Sequence, residues 1–570
     1  MPSILPVAST IQPTPRVGHC VPPNTPHSVC NSLPEWHYTV AFATGKAELW
    51  LKDTVYPRQM VHQQVKRLIA VVVEALGVKE GDHCLLFPTR LLADECRAFI
   101  EAHATPTPCD VRCVTEITHA PPPHQIFAVL FTADLDNVMT FYAFTGSAIS
   151  SRLAELCMLR LAGDLRPTLG LPPRGSYFSE YYSRHSPLKS AEDAKHVIRR
   201  RFSGTLEGGV NIRGVPGASP NDVYLFSTGM QAIWRTHQLL HATVGSGTGS
   251  KKVAHVNLLY GESYKFLELK SSPGYYFFTD GTIDALEMLL ATGTSESPAI
   301  LALFTDFPGN PHLRTADMKR LRALANQYNF PIIVDETLGN YLNVQLFPYC
   351  DVVVSSLTKL FSGMGNVICG GMMLNPASQF YGQFKAHMEA TYEDSLFDSD
   401  ALVLEMNSRE FVSRTAVTNR NAEALADMLY SRSLAGGCND SIIQSIHYPK
   451  YRNRENFDAC RNPLAVQAGL SQTGYGSLLA VTFTSLDAAK FFLSALQCYK
   501  GTTLGCVYTL ALAFNALAFP PEKKKWMEDH GAEENLVRFS VGTEQTESIL
   551  KCVVDALLVV EKVNSKSCSE

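Results

Sequence analysis

A basic surplus, a membrane-length apolar run, a CxxC pair and an internal repeat are all missing from this chain, and each absence removes a class of function. Its 49 Lys and Arg residues are outnumbered by 54 Asp and Glu, for a formal net charge of −5 and a pI near 6.4. With no excess cations to replace the counterions of a phosphate backbone or to sit on an anionic bilayer, neither nucleic acid nor a membrane is expected as a partner. The opening Met1-Pro2-Ser3-Ile4-Leu5-Pro6 lacks a basic flank followed by a long apolar stretch. Every later hydrophobic run is interrupted by a charge or a glycine, so neither a secretion signal nor a transmembrane helix is expected. That reading points to the cytoplasm, where the 15 cysteines would remain reduced thiols. One CxxxC, Cys109 and Cys113 with His119 downstream, lacks a fourth ligand, and no metal is expected there.

What is present is core material. At 570 residues, 46% hydrophobic and 18% charged, the chain has the profile of a globular protein with more than one domain. Residues 1–35 are rich in Pro, Thr, Ser and Asn and are expected as an extended or poorly ordered, flexible arm. Residues 36–165 combine an amphipathic segment (Val65, Leu68, Ile69, Val72, Val73, Leu76) with apolar stretches at 84–87 and 126–131, and read as a small α/β extension without a catalytic constellation.

Pro167, Pro172, Pro173 and Gly175 mark the entry to a larger unit, residues 170–437. Within it strands at 222–226, 252–259, 299–304 and 331–335 alternate with helices at 230–241 and 316–328. This is the pattern of a mostly parallel sheet with helices on both faces, whose ligands sit at the carboxyl ends of the strands. A long polar and helical stretch, 378–433, and a hinge at Gly436-Gly437 lead to a smaller α/β domain, 438–570. That domain has a strand at 478–483 and helices at 486–496 and 547–560.

Two residues stand out against this pattern. Asp335 ends the apolar run Ile332-Ile333-Val334, and Lys359 follows the next run, Val352-Val353-Val354, and the polar pair Ser355-Ser356. A lysine amine that holds an aldehyde covalently and an acid that keeps a pyridine nitrogen protonated are what pyridoxal 5′-phosphate requires. Either residue alone means little: a lone lysine is ordinarily a solvated charge and a strand-end aspartate a cap or turn residue. A rival phosphate loop, Gly363-Met364-Gly365, is set aside because Ile368 stands where its final glycine is needed.

Together, Asp335-Glu336-Thr337 and Ser356-Leu357-Thr358-Lys359 resemble the Asp-Asn-Thr and Ser-Ala-Thr-Lys blocks of the cystathionine γ-synthase family, the trans-sulfuration enzymes of Cys/Met metabolism. The likeness runs from about Tyr181 to the end. Pro23-Asn24-Thr25-Pro26-His27 and Tyr56-Pro57-Arg58 resemble the N-terminal extension of the longer fungal members. The resemblance implies an α/β, fold-type I pyridoxal phosphate enzyme with a smaller C-terminal domain. It assigns Lys359 as the cofactor-bearing, proton-moving amine and Asp335 as the partner of the ring nitrogen.

Further blocks extend the likeness. Asn310, in Pro308-Gly309-Asn310-Pro311, matches the family's Ser-Asn-Pro, whose Asn contacts the cofactor's phenolic oxygen; read alone it is a turn. Thr228, Gly229 and Met230 match a Ser-Gly-Met block at a helix start suited to phosphate, and Ser356 and Thr358 match hydroxyls around the same phosphate. Tyr260 aligns with a tyrosine that stacks on the ring, a contact of about 1 kcal/mol, and is counted with Lys359 as catalytic. Tyr182-Ser183-Arg184 resembles a Tyr-Ser-Arg block that reaches the neighbouring subunit's phosphate, implying a homodimer or homotetramer with shared sites, although His185-Ser186-Pro187 replaces the usual sequence after it. Arg538, in Arg538-Phe539-Ser540-Val541-Gly542, matches an arginine that clamps the amino-acid carboxylate, with Thr503 beside it.

The reaction the resemblance implies is γ-replacement on an O-acyl-homoserine, with cysteine as the leading nucleophile and cystathionine as product. Replacement by a carbon nucleophile in specialised metabolism, elimination by a β- or γ-lyase, and a catalytically silent relative are the alternatives; the intact Asp335 and Lys359 weigh against the last.

Overall fold

The computed structural model describes residues 10–46, 50–51, 56–79, 81–103, 109–113, 125–132, 135–165, 190–206, 208–245, 251–257, 260, 262–265, 267, 273–278, 283–519 and 524–567. Among these the chain forms three sheets. The first is antiparallel, with β3 (Phe127–Phe131) between β1 (His83–Phe87) and β2 (Cys109–Cys113). Cys84, Leu86 and Ala128 face the helix Gln63–Leu76 through Val65, Leu68 and Val72, and the helix Ser151–Leu165 through Leu153 and Cys157. The alternate residues Leu85, Val129 and Phe131 face the helices Arg90–His103 and Leu135–Thr145. A period-2 strand between 3.6-period helices is thus buried on both sides. The amphipathic stretch read from the sequence is the helix Gln63–Leu76, closed by Gly77 at φ +61, where a left-handed residue is needed. The structure adds β2, whose residues include both Cys109 and Cys113; His119 lies outside the described residues.

The second sheet has seven strands in the order β4-β10-β9-β8-β7-β5-β6. They are β4 (Val223–Phe226), β5 (Val253–Val256), β6 (Tyr275–Phe278), β7 (Leu303–Asp306), β8 (Ile332–Asp335), β9 (Val352–Ser356) and β10 (Gly370–Leu374). From β9 to β6 all neighbours are parallel, and β10 runs antiparallel to both β9 and β4. The side chains alternate between two buried faces: Val223, Leu225, Ile332, Val334 and Val353 pack on one with the helix Met318–Tyr328. Tyr224, Phe226, Ile333, Val352 and Val354 pack on the other with the helices Gly229–Thr243 and Tyr381–Thr391. Each such aliphatic side chain contributes about 1.5–3 kcal/mol on burial, which holds the mostly parallel sheet that the sequence pattern predicts.

One strand is displaced from its expected place. The run at 299–304 reads as strand, but the chain bends over its first residues and the ladder covers Leu303–Asp306. The register therefore pairs Leu303 with Ile332 and ends with Asp306 opposite Asp335. The strand expected over 252–259 is likewise shorter, Val253–Val256.

The third sheet, in the order β11-β12-β15-β14-β13, comprises β11 (Ile443–His447), β12 (Leu478–Phe483), β13 (Tyr499–Lys500), β14 (Leu510–Leu512) and β15 (Leu536–Ser540). Its neighbours are antiparallel apart from β13 and β14. The helices Leu486–Ala495 and Thr546–Ser567 cover it through Phe492, Leu493, Val553 and Leu557.

The arm expected to be extended or poorly ordered runs without regular elements but is packed over residues 10–35. Val21, Cys30, Asn31 and Ser32 are fully buried. Leu33 N donates to Lys500 O at 3.1 Å and Val29 N to Gly365 O at 2.8 Å. Its polar composition hid this because the arm has no apolar periodicity and satisfies its backbone partly on itself, as in Val21 N to Cys30 O at 2.9 Å, and partly on other segments. No helix among the described residues is long and apolar enough to cross a membrane.

Candidate active site

The carboxyl ends of β4, β5, β7, β8 and β9 open into one pocket, closed on the far side by β15 and by Tyr56, Arg58 and Gln59 of the N-terminal extension. Lys359 follows β9 in a turn held by its own N–H on Ser356 O at 3.2 Å. Its Nζ lies 3.1 Å from Tyr56 Oη and 3.1 Å from Thr503 Oγ1, and 4.8 Å from the Tyr56 ring centroid. Three segments far apart in sequence therefore meet at one amine.

Asp335 ends β8 and accepts from Thr337 N at 2.8 Å; burial holds its carboxyl above the usual range against that bond. Asp306, its register partner on β7, also lines the pocket and accepts from Tyr260 N at 2.7 Å. Burial, then the neighbouring Asp335, push the Asp306 carboxyl well above the usual range.

At the other end Thr228 caps the helix Gly229–Thr243, its Oγ1 accepting from Gln231 N at 3.0 Å and donating to Gly146 O at 3.1 Å. A Cβ on Gly229 would lie 2.8 Å from Ser356 Cβ, so only glycine lets this helix start approach the end of β9. Free backbone N–H groups of a first turn meet there with the Ser356 side chain, a geometry suited to an anion. Met230 contributes backbone here, since its side chain is buried in the core. Thr358 lines the same pocket, but its hydroxyl also bonds Cys369 N at 3.1 Å and Cys369 O at 3.3 Å.

Arg538, on β15, is 3% exposed and has no carboxylate partner among the described residues. Its guanidinium donates to Asn310 Oδ1 at 3.2 Å and Thr503 O at 3.4 Å and lies 4.3 Å from the Phe514 ring centroid. Burial pulls it down to about 9, the mark of a cation lacking its anion. Tyr260 hydrogen-bonds Arg58 and donates to Glu262 Oε2 at 3.3 Å. Burial pushes its phenol well above the usual tyrosine value.

Of the residues singled out in the sequence, Lys359, Asp335, Asn310, Tyr260, Thr228, Gly229, Met230, Ser356, Thr358 and Arg538 all line this one pocket, and Thr503 touches Lys359 at its edge. Tyr182 and Arg184 lie outside the described residues. Asp306 went unread, and Tyr56 and Arg58 were linked by sequence only to the N-terminal extension. Arg58 is 4% exposed and forms an ion pair with Glu262, which also accepts from Gln59 Nε2 at 2.9 Å. Burial favours the protonated Tyr56 phenol, but the charges of Lys359 and Arg58 outweigh it and lower its pKa. The available signal was spacing, because Tyr56-Pro57-Arg58 repeats the Tyr-x-Arg of Tyr182-Ser183-Arg184.

The donor set fits pyridoxal 5′-phosphate: an amine, a strand-end carboxyl, a glycine-opened helix start for a phosphate, and an aromatic side chain between them. Arg538 remains for the carboxylate of an amino acid.

Comparison with known proteins agrees. The family described as Cys/Met metabolism PLP-dependent enzyme matches residues 212–558, and the N-terminal domain of fungal trans-sulfuration enzymes matches residues 64–150. A cystathionine gamma-synthase-like enzyme of Amanita muscaria, iboG1, is 37% identical, over 96% of this chain and 98% of its own. The cystathionine gamma-synthase of Neurospora crassa is 31% identical, over 96% and 99%. Among solved structures, a Campylobacter jejuni protein assigned as O-acetylhomoserine (thiol)-lyase, carrying N′-pyridoxyl-lysine-5′-monophosphate, superposes with a TM-score of 0.50 at 18% identity. It covers 64% of this chain and 86% of its own, and shares the fold.

Proposed function

The chain belongs to the Cys/Met metabolism PLP-dependent enzymes, in their fungal trans-sulfuration long form, and from that premise we propose that it catalyses γ-replacement on an O-acyl-L-homoserine. The observation that carries this reading is the buried Arg538, without a carboxylate of its own, in the same pocket as Lys359. An amino acid held by its carboxylate there presents its α-amino group toward the lysine end of the pocket.

Pyridoxal phosphate, when bound, supplies the electron sink that acidifies the substrate's Cα–H bond. Lys359 would hold the cofactor, and its amine would move protons at the substrate's Cα and Cβ. Tyr56 and Tyr260 are pushed in opposite directions, which suits them to opposite tasks. Tyr56 accepts and returns the Lys359 proton; Tyr260 stays protonated, covers the ring and donates. Asp335 would partner the ring nitrogen and Asn310 the phenolic oxygen. Thr228, Gly229, Met230, Ser356 and Thr358 would hold the phosphate, and Thr503 supports Arg538 and Lys359.

Cysteine, giving cystathionine, is the leading nucleophile, supported by the cystathionine gamma-synthases of Neurospora crassa and Saccharomyces cerevisiae at 31% and 29% identity. A second reading, replacement by a carbon nucleophile, is favoured by the apolar part of the pocket's lining. Leu338, Phe514, Leu517 and Ala518 are apolar, and the lining cations are Lys359, Arg538 and the Glu262-paired Arg58. A second carboxylate such as that of cysteine therefore meets little there to balance it. Incubation with O-acetyl- and O-succinyl-homoserine and a panel of thiols and enolisable carbonyl compounds, followed by mass spectrometry, tests both. Cystathionine from cysteine supports the first. A new carbon–carbon bond with no cystathionine replaces it by the second, and elimination products alone exclude both.

A further inference from the structure

Asp306 belongs to no motif read from the sequence, and it reaches the pocket only because β7 ends later than its apolar run predicts. β7 and β8 are parallel and in register through Asp306 and Asp335. Residues paired in this way project to the same side of the sheet, about 4.8 Å apart along the hydrogen-bonding direction. Both line the pocket, Asp306 at 7% exposure behind the more open Asp335.

Neither carboxyl has an ion-pair partner among the described residues. The pocket's cations are engaged elsewhere: Lys359 with Tyr56 and Thr503, Arg58 with Glu262, and Arg538 with Asn310. The bonds to the pair come from backbone, Tyr260 N to Asp306 and Thr337 N to Asp335. Two adjacent carboxyls in a dry site without a cation cannot both ionise, so they hold one proton between them. The upward displacement of both acids agrees with this.

We infer that Asp306 is a positioning residue for the cofactor, forming with Asp335 a carboxyl–carboxylate pair that stores the proton required by the cofactor's ring nitrogen, while its bond to Tyr260 N sets the stacking tyrosine. The inference rests on the reading that this nitrogen faces Asp335. When the ring arrives unprotonated, one carboxyl O–H bond breaks and one N–H bond forms. The pair becomes doubly charged against a pyridinium, and no proton is drawn from solvent.

Calorimetric titration of the cofactor-free protein with pyridoxal phosphate, in buffers of different ionisation enthalpy at pH 8.5, reads this directly. Asp306→Asn keeps an acceptor for Tyr260 N but has no proton to give. It should take up about one proton more from solvent than the wild type on binding, and lose affinity at least about tenfold more between pH 7 and 9. Asp306→Glu should restore the wild-type proton count. The cofactor-free wild type should also lose stability as pH rises. Its carboxyls titrate higher folded than unfolded, so stability present below the unfolded value disappears as pH climbs through the folded one; Asp306→Asn should flatten that fall in Tm. Identical proton uptake and pH dependence in Asp306→Asn and wild type overturn the proposal. Unchanged pyridoxal phosphate affinity in Asp335→Asn instead overturns the site reading on which it rests. Should Asp306→Asn not fold, Asp306→Ser carries the same comparison.

Discussion

At the scale of the residue, Arg538 shows what a sequence motif leaves unsaid. An arginine within a strand is ordinarily a surface ion-pair member, and only burial among Asn310, Thr503 and Phe514 makes it a cation in need of an anion. Removing such a desolvated partner of a carboxylate costs about 2–5 kcal/mol of binding. Arg538→Ala should therefore raise the KM for the amino substrate by at least about thirtyfold, while the amount of pyridoxal phosphate bound stays at the wild-type level. An unchanged KM removes the carboxylate role. Lys359 and Asp335 were legible because two improbable residues fell at the ends of adjacent strands. Asp306 was not, because nothing in its apolar run marks where the ladder stops.

At the scale of the element, the phosphate end of the pocket depends on how close the helix Gly229–Thr243 comes to β9. That a helix starts at the Thr228-Gly229-Met230 block was readable from the sequence. That Gly229 faces Ser356 was not, since the contact joins positions more than a hundred residues apart. A methyl at position 229 forces Ser356 Cβ away from 2.8 Å. Overpacking of this kind costs about 1–3 kcal/mol, so Gly229→Ala should lower Tm and weaken pyridoxal phosphate binding together. Wild-type affinity in a well-folded Gly229→Ala protein, measured by equilibrium dialysis, would move the phosphate elsewhere. The N-terminal sheet was read as strands at 84–87 and 126–131; β2, polar and alternating, was missed because its partner β3 supplies the apolar face.

At the scale of the whole molecule, the amino-terminal extension helps to line the candidate site. Tyr56 and Arg58 enter the pocket, and the buried pair Arg152–Asp400, at 2.9 Å, ties the extension's last helix to the helix Asp398–Ser408. Because Tyr56 Oη reaches Lys359 Nζ of the same chain, co-refolded mixtures of Tyr56→Phe and Lys359→Ala subunits should show no more activity than the sum of the parents. Mixtures of Arg184→Ala with Lys359→Ala test the opposite arrangement, in which a neighbouring subunit supplies the arginine. Recovery in the first mixture would show that Tyr56 crosses between subunits. Recovery in the second alone would assign that role to Arg184.

The sequence by itself determined the chemistry that repeats locally: the alternation of apolar strands and amphipathic helices, the helix start at 228–230, and the lysine and aspartate at successive strand ends. These follow from periodicity and from residue types that few other roles require. Tertiary structure alone decided which distant segments meet. It ended β7 at Asp306, packed a proline-rich arm that has no periodicity of its own, and brought Tyr56 to Lys359 across 303 positions. The physical reason is that such contacts depend on register and approach distance, which are set by the packing of both sheet faces at once and leave no pattern along the chain.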